Sequence, residues 1–277
     1  MPLELVFLGS GTSAGVPMIG CDCGVCTSAD PRDTRTPPSV LVRYDQHGVT
    51  RQLLIDAAPE LRQQAIREKL HRLDGVLFTH AHADHVFGID DLRRFNAVME
   101  APINIYAERG VLDRLAVMFV YIFEPAKNVN PSFVATLIAH PIAPEEPVNL
   151  FGATWTPIRL LHGRLPVLGF RVDRDGASLA YCTDVSAIPP ESWSLLHGLD
   201  VLVIDGLRYR HHPTHFSVDQ ALDVIDRVQP KAAYLTHIAH DILHAELEPR
   251  LPEGVHLAYD GLRVAVGAAD GTADERG

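Results

Sequence analysis

The sequence predicts an α/β or layered α+β domain, in which sheets are covered by helices. Short apolar runs rich in Val, Ile and Leu recur between turn residues, as expected for buried strands. Amphipathic segments separate several of these runs, and this interleaving favours a layered domain over an all-β barrel. With 277 residues and 47% hydrophobic side chains, the chain can bury a sizeable core. The predicted strands span residues 3–8, 52–55, 75–78, 103–106, 155–161, 179–182, 201–204 and 233–235.

Two helices have the clearest sequence signals. Residues 59–73 are amphipathic and have Pro59 at a first-turn position. Residues 217–228 open with the capping-box pattern Ser217-x-x-Gln220. The sequence shows no repeat of fixed period, so residues 1–266 are predicted to form one domain. Residues 267–277, rich in Gly, Ala and Asp, are predicted to be a flexible tail.

The net charge limits the partners that we expect for this chain. It carries 24 Lys and Arg against 35 Asp and Glu, a formal charge of −11. Binding along a nucleic acid backbone relies on clustered cations, so no long nucleic acid partner is expected. No apolar run reaches the roughly 18 to 20 residues that span a bilayer, and residues 1–4 lack the features of a signal peptide. We therefore expect a cytoplasmic protein with no membrane partner.

Residues 79–85, Thr-His-Ala-His-Ala-Asp-His, concentrate four metal-ligand side chains directly after a predicted strand. Imidazole and carboxylate suit zinc, iron and similar divalent ions. Three further predicted strands end in a ligand-type residue, and strand ends are where α/β folds build their sites. Five histidines and two aspartates can hold two metals if one aspartate bridges them. The predicted ligands are His80, His82, Asp84, His85, His162, Asp184 and His237.

Three of the four cysteines lie in the short segment Cys-Asp-Cys-Gly-Val-Cys. This spacing is typical of metal ligands, and a disulfide framework is not expected in a cytoplasmic chain of this size. A tetrahedral structural zinc needs a fourth ligand, for which Cys182, His240 and His244 are candidates by chemistry. Cys182 stands inside an apolar strand, which favours a buried small hydrophobe. The loop at residues 20–27 is therefore predicted to hold one structural zinc through Cys21, Cys23 and Cys26.

The ligand string at residues 79–85, followed by His162, Asp184 and His237 in this order, resembles the metallo-β-lactamase superfamily over nearly the whole chain. The resemblance implies an αββα sandwich, two sheets face to face between helical layers, with the metals along one edge. Asp56 matches an early aspartate of the superfamily that supports a ligand, and a plain turn residue is the alternative. By the same resemblance, His80, His82 and His162 hold the first metal, Asp84, His85 and His237 hold the second, and Asp184 bridges them, which makes Asp84 and Asp184 part of the catalytic centre.

Other features resemble the PhnP branch of this superfamily, the phosphoribosyl cyclic phosphodiesterases of phosphonate breakdown. That branch pairs a cysteine cluster with a histidine three residues after the last active-site histidine, which here is His240. Residues 162–170 and the glycine-rich residues 9–17 also resemble it. Since no helix is expected to follow this glycine-rich loop, we predict a tight turn and not a dinucleotide cradle. The branch implies cleavage of a small, cyclic phosphodiester by a metal-bridging hydroxide, with zinc, manganese or iron at two active-site positions and one structural zinc.

The resemblance also implies that His215, just before the second helix, is the general acid that protonates the leaving alkoxide. Asp205, at the end of its strand, is a candidate to orient His215, and a plain strand-end carboxylate is the alternative. His211 and His212 are interpreted as solvent-exposed neighbours. The candidate phosphate contacts are Arg164, Arg208 and Arg210, although exposed loop arginines are common without such a role.

Several alternatives share parts of this pattern. A tRNA-processing nuclease of the superfamily should carry a basic, Gly-rich arm, whereas residues 97–150 contain only the bases Arg109, Arg114 and Lys127. A thioester or lactone hydrolase could use the same dinuclear centre. A non-hydrolytic accessory protein resembling PqqB would share the cysteine cluster, but the complete ligand set weighs against it. Residues 110–152 are longer and more apolar than their PhnP counterpart, and we interpret them as a core or homodimer-interface helix or, alternatively, as a lid.

Overall fold

The structure is a computed structural model that describes residues 2–129 and 132–267. Ten of the eleven residues of the predicted tail, 268–277, lie outside the described residues. The strands of the described residues are β1 Leu3–Gly9, β2 Ser39–Gln46, β3 Val49–Ile55, β4 Gly75–Leu77, β5 Ile103–Ala107, β6 Leu137–Pro141, β7 Val148–Leu150, β8 Ala153–His162, β9 Leu165–Arg174, β10 Ala177–Cys182, β11 Val201–Asp205, β12 Ala232–Thr236, β13 Val255–Leu257 and β14 Arg263–Val266.

The helices are short and lie between these strands. Five short 3-10 helices also occur in the described residues, at Pro31–Asp33, Phe87–Asp91, Pro125–Lys127, Pro190–Leu196 and Glu248–Arg250. The α-helices of the described residues are α1 Leu61–Arg67, α2 Ala83–Val86, α3 Leu92–Met99, α4 Arg109–Met118, α5 Val120–Phe123, α6 Val218–Val228 and α7 His244–Leu247. In residues 2–129 and 132–267, no helix has the length and apolarity needed to cross a bilayer.

The strands form two sheets of seven strands each. The first has the order β14-β1-β2-β3-β4-β5-β6, and the second has the order β13-β12-β11-β10-β9-β8-β7. Helices α1, α3 and α4 pack on the outer face of the first sheet, and α6 packs on the outer face of the second. The fold is thus an αββα sandwich in one domain, which confirms the predicted fold class.

Both faces of the central strands are buried, which explains their nearly continuous apolar sequences. In β1, Leu5 and Phe7 face the core between the sheets, whereas Val6 and Leu8 face the outer core under the helices. Between the sheets, the Trp155 indole donates a hydrogen bond to the Tyr44 hydroxyl at 3.3 Å. Packing between these faces fixes the position of one sheet relative to the other, so that residues at the edges of both sheets can contribute to one site.

Each sheet contains a run of parallel strands whose carboxyl ends lie at one edge. In the first sheet β3, β4, β5 and β6 are parallel, and in the second β10, β11, β12 and β13 are parallel. Side chains that follow parallel strands therefore meet at one edge of the sheet. Six of the seven residues predicted to bind the active-site metals follow β4, β10 or β12 in this way, and the seventh, His162, is the last residue of β8.

All eight predicted strands are present, and the capping box of Ser217 and Gln220 opens α6 as predicted. The predicted helix over residues 59–73 was wrong in length, because α1 ends at Arg67. Lys69 adopts a left-handed conformation with φ 53°, and the N–H of Leu70 donates to the carbonyl of Ala65 at 2.9 Å. This is a Schellman end, with lysine in place of the usual glycine. It turns the chain so that Leu70 and Leu73 pack in the outer core.

The long segment after β5 forms α4 and α5 and then β6. Leu112, Leu115 and Ile122 are buried in the outer core of the first sheet, which confirms the core interpretation for this face of the segment. Val117, on the opposite side, is 80% exposed. The segment is fixed to the helical turn that follows α2, because the Tyr121 hydroxyl donates to the Asp90 carboxylate at 2.9 Å.

Candidate metal centre

Seven ligand-type side chains converge where strands of both sheets end. Four come from one segment, in which His82 precedes α2 and the helix itself carries Asp84 and His85. Three stand at or just beyond the carboxyl ends of β8, β10 and β12 in the second sheet. The converging residues are His80, His82, Asp84, His85, His162, Asp184 and His237, all seven of the predicted ligands.

Their ligand atoms form two groups that share one carboxylate. In each group the atoms lie within 4.8 Å of one another. Oδ2 of Asp184 lies 3.9 Å from His80 Nε2 and 3.8 Å from His162 Nε2. Oδ1 of Asp184 lies 3.1 Å from His85 Nε2 and 3.4 Å from His237 Nε2. The first group is His80, His82, His162 and Asp184, and the second is Asp84, His85, Asp184 and His237.

Several buried nitrogen atoms in these groups lack a hydrogen-bond partner among the described residues. They are Nε2 of His80, Nε2 of His85 and both ring nitrogens of His237. A buried polar group left unpaired costs about 1–3 kcal/mol, so several at one point favour a bound electron-pair acceptor. Imidazole and carboxylate are ligands of zinc and similar ions. The donor set therefore fits two divalent cations with Asp184 between them.

Burial and charge suit the same residues to cations. Burial lowers the pKa of His80 well below its usual value, which keeps the ring neutral and its lone pair available. Burial opposes ionisation of Asp184, but the rings of His237 and His85 outweigh it and hold the pKa of this carboxyl well below its usual range. Burial likewise opposes a proton on His237, yet the Asp184 carboxylate raises the pKa of this ring to about 9. A field that favours a proton here also favours a divalent cation.

Backbone strain is concentrated at the same strand ends. Asp56, Asp184 and His237 adopt left-handed conformations, with φ values of 62°, 53° and 60°. Such conformations cost about 1–3 kcal/mol each and persist where the surrounding structure holds them, often at functional sites. Here they turn the side chains that follow β3, β10 and β12 toward one point.

Asp56 supports a ligand of the second group. Its Oδ2 accepts a hydrogen bond from His85 Nδ1 at 2.7 Å, so His85 Nε2 is the nitrogen that faces Asp184. Asp56 is itself held by Thr79, whose N–H and hydroxyl each donate to it at 2.8 Å. The Thr79 hydroxyl in turn accepts from His80 Nδ1 at 2.9 Å. Of the two roles considered for Asp56, the geometry favours ligand support, and Thr79, which the sequence reasoning missed, belongs to the same network.

His215 lies beside both groups. Its ring centroid is 4.5 Å from that of His162 and 4.7 Å from that of His237. Nδ1 of His215 donates to Oδ2 of the fully buried Asp205 at 2.6 Å. The same oxygen accepts the N–H of Val185 at 3.1 Å. Asp205 therefore orients His215, and it leaves Nε2 as the nitrogen available for proton transfer.

The loop before His215 contributes more than the sequence indicated. His211 is exposed, as interpreted, but His212 is half-buried, with its ring centroid 5.1 Å from that of His215. Thr214 lies between them, and its carbonyl accepts from His162 Nδ1 at 2.7 Å. The sequence reasoning interpreted His212 as a solvent-exposed neighbour and did not single out Thr214, because the positions of both depend on the conformation of this loop.

The three candidate arginines differ in their surroundings. Arg208 donates to the backbone carbonyls of Arg210 and His211, at 3.3 and 3.1 Å. Arg210 pairs with Asp241 at 3.3 Å on the surface. Arg164 is exposed, and in the described residues it has no ion pair. Their role as phosphate contacts stays a prediction.

The cysteine loop forms a second cluster with His240. Nδ1 of His240 lies 3.3 Å from Cys21 Sγ, 3.4 Å from Cys23 Sγ and 3.7 Å from Cys26 Sγ. The backbone N–H of Cys26 lowers the pKa of Cys23 to about 6, whereas burial and the neighbouring thiols raise the pKa of Cys26 to about 11. A cation would remove this repulsion between thiolates, and the Cys3His donor set fits a tetrahedral zinc.

The other two candidate fourth ligands stand elsewhere. Cys182 is fully buried in the outer core of the second sheet, as predicted for a small hydrophobe. His244 is not part of the cluster, and its backbone N–H donates to Asp33 at 2.8 Å. Of the three candidates, His240 is the one that the structure brings to the cysteines.

The glycine-rich loop connects the two clusters. The N–H of Ile238, next to His237, donates to the Ser10 carbonyl at 2.9 Å, and the Thr12 N–H donates to the Ile238 carbonyl at 3.1 Å. A Cβ at Gly9 would lie 1.9 Å from the Pro37 carbonyl oxygen, so this loop packs tightly against backbone. It forms a turn beside His237, as predicted.

The αββα sandwich and the two ligand groups around a shared aspartate are the features of a metal-binding hydrolase fold. The chain belongs to the β-lactamase superfamily, because the family described as "Beta-lactamase superfamily domain" matches residues 51–238. Within it the chain is PhnP-like. The crystal structure of a diphosphatase from the PhnP family is 40% identical, with a TM-score of 0.85 over 95% of this chain and 97% of that chain.

Two other relatives mark the range of the similarity. An octanoyltransferase of Porphyromonas gingivalis is 38% identical over 95% of this chain, and the chain spans about half of that protein's length, 52%. Zinc-bound PqqB from Methylobacterium extorquens has a TM-score of 0.76 over 94% of this chain and 99% of that chain, at 22% identity. At that identity the likeness shows the fold alone.

Proposed function

We propose that this chain is a dinuclear metal-dependent hydrolase that cleaves a small anionic phosphodiester with water. The observation that carries the proposal is the position of Asp184, whose two oxygens face two separate groups of ligand atoms. A shared carboxylate would be a ligand of two cations, as in two-metal sites that act on phosphoryl groups. The 40% identical PhnP-family structure, described as a diphosphatase, supports phosphoryl chemistry.

The residues of the metal centre have different roles in the proposed reaction. When bound, two divalent ions would lower the pKa of a water molecule and neutralise charge on a phosphoryl oxygen. Asp184 joins the two ligand groups, and Asp56 orients His85 for the second one. His215 holds a proton at Nε2 and donates it to the leaving oxygen, while Asp205 fixes the ring through Nδ1. The first ion would be held by His80, His82, His162 and Asp184, and the second by Asp84, His85, His237 and Asp184.

The proposed substrate has a phosphorus atom with two bridging oxygens. A cyclic phosphodiester is the member of this class that the PhnP resemblance favours. A diphosphate, cleaved at its P–O–P bridge, is a second candidate, because the 40% identical neighbour is described as a diphosphatase. Both need a proton donor for the leaving oxygen, which His215 supplies. The chain's net charge of −11 favours a small anion drawn to the metal centre over a long nucleic acid.

We also propose a structural zinc on Cys21, Cys23, Cys26 and His240. Because Ile238 lies between the two clusters and bonds to the glycine-rich loop, this zinc would help to hold His237 in place. None of the four cysteines, which all lie in the described residues, forms a disulfide, and this suits a reducing compartment, so we propose a cytoplasmic location.

The test is a substrate panel on protein loaded with zinc, manganese or iron. The panel contains a bis-aryl phosphodiester, cyclic nucleotides, ribose cyclic phosphates, linear diesters and diphosphates. We expect hydrolysis of at least one phosphoryl substrate, lost in Asp184→Ala. Lactones and octanoyl thioesters form the opposing arm, since a chain that spans half of an octanoyltransferase need not share its activity. Hydrolysis confined to that arm would contradict the proposal.

A further inference from the structure

His212 stands one ring beyond the candidate acid. Its ring centroid lies 5.1 Å from that of His215, which in turn lies 4.5 Å from that of His162. His212 is half-buried, whereas its neighbour His211 is exposed. The loop is packed closely against the turn after His162, because a Cβ at Gly163 would lie 2.9 Å from Thr214 Cγ2.

Thr214 determines which nitrogen of His212 carries the proton. The backbone N–H of Thr214 lies 3.4 Å from His212 Nδ1, and the Thr214 hydroxyl lies 3.1 Å from it. A backbone N–H can only donate, so Nδ1 is the acceptor and the neutral ring carries its proton on Nε2. Among the described residues, Nε2 of His212 has no hydrogen-bond partner, so this N–H donor is free for a ligand.

The two neighbouring histidines thus differ in what holds Nδ1. His215 donates Nδ1–H to the carboxylate of Asp205, an arrangement that fixes the ring and leaves Nε2 for proton transfer. His212 accepts at Nδ1 from Thr214, an arrangement that keeps the ring neutral and its Nε2–H fixed. Burial, together with the nearby His215 and Arg208, also lowers the pKa of His212. A fixed neutral donor beside a proton donor suits binding of a phosphoryl oxygen.

We propose that His212 is a substrate-contacting residue, whose Nε2–H donates a hydrogen bond to a non-bridging phosphoryl oxygen of the substrate and of the product phosphomonoester. His215 then serves the leaving oxygen, and the two rings act on different oxygens of the same phosphorus. No covalent step is added. This inference rests on the proposed phosphoryl substrate, and it assigns to His212 a role beyond that of an exposed neighbour.

The test compares four variants of the metal-loaded protein. His212→Ala removes the donor, and His211→Ala is the matched control on the exposed neighbour. The glutamine side chain can place an N–H near the position of Nε2, whereas asparagine is too short, so His212→Gln and His212→Asn separate the donor from the bulk of the ring. Inorganic phosphate binding is measured by calorimetry, KM and kcat with a bis-aryl phosphodiester, and metal content by elemental analysis.

We expect His212→Ala to weaken phosphate binding and to raise KM, each about 10-fold, the loss typical of one hydrogen bond to a charged group. His212→Gln should recover most of the loss. His212→Asn should behave like His212→Ala, and His211→Ala should behave like the wild type. Metal content should stay unchanged in all four. A purely structural role would instead lower metal content or kcat and would not be rescued by glutamine.

Two results would overturn the inference. The first is phosphate affinity in His212→Ala equal to that of His211→Ala, and the second is a loss in His212→Ala that follows a loss of metal. The binding arm also separates this inference from the proposed function. If no phosphodiester is hydrolysed but phosphate binding still depends on His212, the proposed reaction fails and the contact stands. If hydrolysis proceeds and His212→Ala behaves as His211→Ala, the contact alone fails.

Discussion

Oδ2 of Asp205 accepts a hydrogen bond from Nδ1 of His215 at 2.6 Å, and the carboxylate is completely buried behind the ring. This pair sits beside both ligand groups, because the ring contacts His162 on one side and His237 on the other. A buried carboxylate on Nδ1 fixes the orientation and the tautomer of the ring. The pair is therefore placed to deliver a proton at the metal centre.

His215→Ala should slow hydrolysis most for substrates whose leaving group needs a proton. With an alkoxide leaving group we expect a loss in kcat of about 100-fold or more, since general acids contribute 10²–10⁴-fold. With p-nitrophenolate, a good leaving group, the loss should be much smaller. Asp205→Asn should show the same pattern more weakly, and Asp113→Asn, on the surface, is the control. Equal losses for both leaving groups would argue against proton donation.

Asp56→Asn should weaken the second metal position. The variant keeps the size of the side chain but disturbs the bond to His85 Nδ1 and the two bonds from Thr79. Loss of such support typically costs about 10–100-fold in metal affinity. Competition with a chelator measures the affinity, with the exposed Asp113→Asn as control. An affinity equal to that of the control would mean that Asp56 only closes the turn after β3.

Cys23→Ser should remove about one zinc per chain, because the Cys3His set then lacks a thiolate. The melting temperature should fall as well, since zinc binding contributes to folding at such sites. Cys182→Ala, in the apolar core, should lose some stability and keep all its zinc. Elemental analysis and thermal unfolding measure both effects, and an unchanged metal count in Cys23→Ser would refute the structural zinc.

Asp74 should make the free energy of unfolding depend on pH in the acidic range. Burial opposes its charge, but hydrogen bonds from Arg72, from the Gln52 N–H and from Arg51 outweigh it and hold the pKa of Asp74 below its usual value. A carboxyl with a lowered folded pKa contributes stability above the unfolded pKa of about 3.9, and this contribution is lost as pH falls below it. Urea unfolding between pH 7 and pH 3 should therefore show a flatter profile for Asp74→Asn than for Asp113→Asn. Parallel profiles would contradict this.

Much of the site could be predicted because its residues stand next to short apolar strands. The positions of His80, His162, Asp184 and His237 at strand ends were readable from local sequence alone. The orientation of Asp184 was not, because it depends on where two sheets bring His85 and His80. The same holds for His212, whose partner Thr214 acts through a loop conformation and not through a sequence pattern.

Of the six strands in the described residues that the sequence prediction missed, three have a clear physical reason. β9 contains Pro166 and Gly169, residues that ordinarily interrupt strands. In the structure, a Cβ at Gly169 would lie 2.8 Å from the Tyr181 carbonyl oxygen, so glycine is required by a close approach of β10. β13 and β14 are three and four residues long and have too short a pattern to identify. They form because each pairs with a strand of one of the two sheets, β13 with β12 and β14 with β1.

The proposed function depends on Asp184 as a ligand shared by two metal ions. A comparison of metal count and activity between the wild type and Asp184→Ala tests this most directly. Metal-loaded wild type should bind two divalent ions beyond the structural zinc and hydrolyse a bis-aryl phosphodiester. Asp184→Ala should keep the structural zinc, lose metal from the active centre and lose hydrolysis to background, as should His80→Ala. Full activity in Asp184→Ala, whatever its metal content, would contradict the dinuclear centre.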